Sequence, residues 1–151
     1  MNALIGTVLA GVIATAGMSL VLWGISQTGI ANAAMIRAIG SMFTRSYEGS
    51  FGPGLVAHFI AGIAIAFIYV ALISLLAPDT LAGTIAYGGM IGLAHGVAFG
   101  FMLVVAVAEH HPLEQFRRAG LEVATAHLIG HVIYGVLVGA VVGLTGIKFF
   151  S

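Results

Sequence analysis

Four uninterrupted apolar runs, at about 3–25, 54–77, 81–108 and 121–147, limit this chain more than any other feature. Each reaches the roughly 20 residues that a helix needs to cross the hydrocarbon of a bilayer. Inside lipid the backbone must satisfy its own hydrogen bonds, so such runs are helices unless they alternate like barrel strands. They do not alternate. The reading is an all-α integral membrane protein, a single transmembrane domain over residues 1–151, folded as a four-helix up-down-up-down bundle. The charge content agrees: 7% of residues are charged, against about 25% in a soluble domain. That is too few to cover a water-facing surface, so the lipid bilayer is the first partner. Five basic and five acidic residues cancel, and nothing implies a nucleic-acid partner. The chain has no cysteine, which excludes disulfides, iron–sulfur clusters and thiolate metal sites.

The first run could be mistaken for a signal peptide, since Ala31-Asn32-Ala33 has the look of a cleavage site. No basic residue follows Met1, and the apolar run is longer than a signal core. It reads as a retained span with Trp23 as its interfacial anchor. Residues at about 29–46 read differently. Ile36, Ile39 and Phe43 recur at helical spacing, with Arg37, Ser41 and Arg45 on the opposite row. This predicts an amphipathic helix in the headgroup region. Gly52-Pro53-Gly54 then turns the chain, with Pro53 suited to a first helical turn. Asp79 or Thr80 can cap the third span.

Arg37, Arg45, Arg117 and Arg118 fall on one side of the membrane, and Lys148 with the N-terminal amine on the other. The positive-inside rule puts the arginine-bearing loops in the cytoplasm and both termini outside, as in a bacterial inner-membrane protein. Two short phrases recur: Ala57-His58-Phe59-Ile60 with Ala126-His127-Leu128-Ile129, and Gly6-Thr7-Val8 with Gly83-Thr84-Ile85. They admit a tandem repeat of a helical hairpin, in which Met18 is the counterpart of His95.

Histidine is costly in hydrocarbon, so His58, His95, His127 and His131 are the candidate site residues. His127 and His131 share one helix face. By helical rise, His58 and His127 lie at matching depth, roughly 6–9 Å below the arginine-bearing surface. Three chemistries fit. Two imidazoles from facing helices suit a haem b, with Gly62, Gly96, Gly130 and Gly135 leaving room for the macrocycle. All four imidazoles suit copper, zinc or iron. Alternatively they hydrogen-bond between helices and only hold the bundle together. Gly88, Gly92, Gly96 and Gly100 recur every fourth residue, as in helices that approach closely within one chain or between chains. Glu109, His110, His111 and Glu122 read as hydrated surface residues.

The phrase Gly6-Thr7-Val8-Leu9-Ala10-Gly11-Val12-Ile13-Ala14-Thr15-Ala16-Gly17-Met18-Ser19 resembles the opening of a family of small bacterial four-helix membrane proteins of unknown function. His58 early in the second span is similar to that pattern. So is His131-Val132-Ile133-Tyr134-Gly135-Val136-Leu137-Val138-Gly139 in the last span. The resemblance implies the topology and weight at His58 and His131. It implies no activity, and His95 and His127 depart from it.

These features lead to an accessory subunit of a membrane, respiratory or redox, complex whose histidines hold haem b or a metal ion. The alternative is a purely structural or assembly subunit that meets other membrane subunits, or itself, through glycine-rich faces. A transporter is disfavoured because Glu48, Asp79, Glu109, Glu114 and Glu122 all fall in loops or at helix ends. No nucleophile–base pair points to catalysis.

Overall fold

The computed structural model describes residues 2–102 and 108–150. Among them the fold is all-α. The four spans are α1 (Ala3–Gln27), α3 (Phe51–Leu76), α4 (Leu81–Met102) and α7 (Leu121–Thr145), each long and apolar enough to cross a membrane. At the arginine-bearing end lie α2 (Met35–Thr44) and two one-turn helices, α5 (Ala108–His110) and α6 (Glu114–Arg117). The third span was expected to reach residue 108; residues 103–107 lie outside the described residues.

Local chemistry sets the helix ends. The Asn2 side chain accepts the Leu4 N–H and caps α1. Pro53 sits in the first turn of α3, where its missing N–H costs nothing. Thr80 Oγ1 accepts the Gly83 N–H at 3.0 Å at the start of α4. Gly146, at φ 65°, ends α7 in the left-handed conformation that glycine adopts most readily. The chain beyond it folds back on α3. There the Phe149 N–H donates to Ser74 Oγ at 3.1 Å, and the rings of Phe149 and Phe67 stack.

The tightest packing joins α4 to α7. Gly88, Gly92, Gly96 and Gly100 are all buried and face α7. A Cβ at Gly88 would collide with the Gly135 carbonyl oxygen, and one at Gly135 with that of Gly88. Gly139 meets α4 at Thr84 and Ile85 in the same way. The two glycine rows therefore interlock within one chain. Lipid tails are as apolar as the helices, so close van der Waals fit and not water exclusion must hold them together.

On the other side, α1 packs against both α3 and α7. The α1–α3 pairing is much looser than the α4–α7 pairing, so the two expected hairpins are not packed alike. Between α3 and α4 there is little contact, although only a short connection joins them. The bundle is thus a square with three closed sides and one splayed side.

The interfacial helix is shorter than the predicted 29–46, running Met35–Thr44. Its polar row also differs from expectation: Ser41 is fully buried beside Gly40. The cause is a second glycine contact. A Cβ on Gly40 would stand 2.9 Å from the Gly54 nitrogen, so α2 sits directly on the start of α3. Arg37 secures the turn that follows, donating to the Tyr47 carbonyl at 3.1 Å and covering the Tyr47 ring at 4.6 Å.

The glycine seam makes a direct prediction. Gly92→Leu would drive its side chain into the His131 carbonyl and the Val132 Cα, 3.0 Å from the new Cβ. Such overpacking costs about 1–3 kcal/mol or more. Unfolding in mixed micelles should move accordingly, whereas Gly24→Leu, which meets nothing within 4 Å, should be near neutral.

Candidate functional site

A cavity of about 510 Å³ fills the splayed side of the bundle at its arginine-bearing end. Its walls come from α1, α3, α4 and α7, and α2 with the 111–123 segment closes it toward the surface. His58, His95, His127, His131 and Tyr134 all line it. His58 and His127 stand seven and six residues into α3 and α7. By helical rise both are about 9–11 Å from those helix starts, somewhat farther than the roughly 6–9 Å expected.

Each imidazole has a partner of its own. The ring Nδ1 of His127 lies 2.8 Å from the Val123 carbonyl, and that of His131 2.7 Å from the His127 carbonyl. A carbonyl can only accept, so both rings donate through Nδ1. His58 Nε2 lies 3.1 Å from Ser19 Oγ. Ser19 already donates its hydroxyl proton to the Thr15 carbonyl at 2.7 Å. It must therefore accept from His58, which crosses from α3 to α1. His95 Nδ1 lies 3.0 Å from the Tyr69 hydroxyl, linking α4 to α3 across the splayed side. The His95 and His131 rings meet edge to face with centroids 4.4 Å apart.

This geometry corrects the haem and metal expectation. No group of three or more histidine or carboxylate side chains among the described residues is arranged to hold a metal ion. The histidines are scattered over separate hydrogen bonds instead of forming one ligand cluster. An edge-to-face pair does not present two lone pairs to a common point. The glycines expected to leave room for a macrocycle are filled. Gly96 lies against Leu128, Gly130 against Met18 and Leu22, Gly135 against the Gly88 backbone, and Gly62 against Thr15. The copper, zinc, iron or haem b reading of His58, His95, His127 and His131 falls with them. Their reading as hydrogen-bonding groups of the bundle fits better.

Two further groups complete the polar interior. The Tyr134 hydroxyl donates to the Gly62 carbonyl at 2.6 Å, tying α7 to α3 across the diagonal. Its ring meets the Tyr69 ring edge-on at 5.2 Å. His111, expected at a hydrated surface, is instead 2% exposed. Its Nδ1 accepts the Leu113 N–H at 3.0 Å, so its Nε2 donates, to the Ala38 carbonyl at 3.1 Å. This bond fastens the segment before α7 onto α2. Ser41, at 3.5 Å from the same nitrogen, belongs to that contact. No local pattern marks His111 in the sequence. Thr15 and Ser19, four residues apart on an otherwise apolar helix, were the visible sign that α1 carries a polar stripe.

Removing one of these bonds should cost little but measurably. Tyr134→Phe leaves the Gly62 carbonyl without its donor, and unfolding free energy in mixed micelles should drop by about 0.5–1.5 kcal/mol. Tyr87→Phe, a tyrosine outside this network, should leave it unchanged. Equal effects of the two changes would refute the cross-diagonal bond.

No protein-family model, curated protein or solved structure matches this chain, so the resemblance to a family of small bacterial membrane proteins stands only as far as a bundle with four membrane-spanning helices.

Proposed function

We propose that this chain is a structural or assembly subunit of the membrane, acting by packing against other membrane chains. The observation that carries the reading is the manner in which α4 is held. It rests mainly on α7, with a slight contact to α3, and its outer face presents Met90, Leu93, Val97 and Phe101, all at least half exposed. These positions repeat at helical spacing and form one continuous ridge. The glycine rows that were expected to receive a partner are used inside the chain. A partner subunit or a second copy therefore docks on the outer ridge of α4. One internal hydrogen bond, His95 to Tyr69, ties that helix to α3, while those of His58 and Tyr134 hold the other three spans together. Outside the spans, the described residues supply only α2, two single turns and short connections.

The natural absence of cysteine makes the test clean. Val97→Cys in native membranes should form a bismaleimide adduct with a neighbouring chain. Ile60→Cys, an equally exposed position on α3, should not. Equal adduct formation at both positions, or none at either, overturns docking on α4.

The arginine-bearing loops face the cytoplasm of a bacterial inner membrane in this reading, with both termini outside. The support is Arg37, Arg45, Arg117 and Arg118 at one end of the bundle against Lys148 at the other. A membrane-impermeant maleimide should label Lys148→Cys in intact cells and Ser46→Cys only after permeabilisation. The reverse pattern would invert the topology.

A further inference from the structure

The side chains around the cavity on the splayed side tie the helices together, but the space between them remains to be accounted for. At about 510 Å³ it falls within the roughly 300–1,000 Å³ of small-molecule sites. Its surface is mostly apolar, from side chains such as Met18, Ile65, Phe99 and Met102. Asn32, Gln115 and Arg118 line it outside the spans and Glu122 at the first turn of α7, and imidazoles line it within the spans. His127 and His131 donate through Nδ1 to backbone carbonyls. In an uncharged imidazole this leaves Nε2, the end of the ring away from the helix, as a bare acceptor. His58 donates through Nε2 to Ser19, and its Nδ1 is left as an acceptor in the same way. These rings are 3%, 7% and 7% exposed. Among the described residues none of the three acceptor nitrogens meets a hydrogen-bond donor.

These nitrogens lack a donor yet are not sealed off: among the described residues the buried side-chain atoms left without any partner are Thr15 Oγ1 and Ser26 Oγ. An acceptor open to a largely apolar space favours a guest that donates to it. A ligand that matches must be apolar over most of its surface and must bring a proton to donate. It must also be uncharged, since among the described residues no cation or anion lines the deep end beside His131. Arg118 and Glu122 are confined to the surface end. We infer that the cavity binds an uncharged, lipid-soluble alcohol or phenol whose hydroxyl donates to the free nitrogen of His127 or His131. The site lies beside the subunit contact proposed on α4 and does not depend on it. It borders α3 and α4, which touch little apart from the His95–Tyr69 bond, so the ligand reaches it from the bilayer.

The probe is tritiated 4-hexylphenol, with 4-hexylanisole, its methyl ether, as the competitor lacking a donor. The full chain in nanodiscs should bind the phenol saturably at one site per chain. Unlabelled phenol should compete at least about ten-fold better than the ether, as expected when one buried hydrogen bond distinguishes them. Ala61→Trp, which fills the cavity from α3, should abolish the saturable binding while circular dichroism stays unchanged. His127→Phe combined with His131→Phe should erase the preference for the phenol. Mass spectrometry of the protein from native membranes separates the natural sources of the hydroxyl. A co-purified neutral lipid bearing a hydroxyl, displaced by the phenol, identifies a membrane lipid. An empty site that takes the phenol identifies a smaller molecule. Binding no greater than in empty nanodiscs, equal competition by the ether, undiminished binding to Ala61→Trp, or occupancy by a lipid without a hydroxyl would each overturn the assignment.

Discussion

The close approach of two helix backbones, α4 against α7, is the constraint on which the rest of this molecule depends. In lipid no water is released when apolar helices meet, so only contact area and polar bonds favour the folded bundle. Gly88, Gly92 and Gly96 on one side and Gly135 and Gly139 on the other remove the side chains that would hold the backbones apart. The consequence reaches beyond that pair. Once α4 is drawn fully onto α7, it is drawn away from α3. A short connection at residues 77–80 keeps the two together at one end only. The splayed side, its cavity and the free outer ridge of α4 all follow from a single strong seam.

That seam also decides how the imidazoles behave. His131 lies on the stretch of α7 whose backbone touches α4, since its carbonyl oxygen is what Gly92 faces. Its ring can meet only His95 and Phe99 from that helix. His127 and His131 each turn one nitrogen back to their own helix. Histidine is tolerated in hydrocarbon when its polar atoms find partners, and a carbonyl one turn earlier is the nearest partner available. A ring bound in this way has a fixed tautomer, so the character of its other nitrogen is fixed as well. A local bond on the helix thereby determines what the interior can recognise.

The spans were legible because the bilayer allows only helices and because their ends carry ordinary signals, such as Thr80 ahead of α4 and Gly146 after α7. What misled was the meaning of the glycines. Gly96, Gly130 and Gly135 look like room for a cofactor when each helix is read by itself. Two rows of glycine at the same spacing, on helices adjacent in the chain, are better read as halves of one contact. His111 was illegible for another reason. Its burial depends on α2 lying on α3 through Gly40 and Gly54, a contact between segments far from it in sequence. Ser41 was misread with it, because its place between two arginines one turn away on either side suggests a wet face.

The same logic explains why α2 is more than a surface helix. The hydroxyl of Ser41 donates to its own helix, to the Arg37 or Ala38 carbonyl. The Ala38 carbonyl in turn accepts from His111. A helix that merely floated at the interface would not need buried polar groups on its inner row. The contact with His111 joins α2 to the segment before α7, and both border the cavity. Gly40 and Gly54 set α2 directly on α3, and the His111 bond to the Ala38 carbonyl carries that fixed position across to the segment before α7.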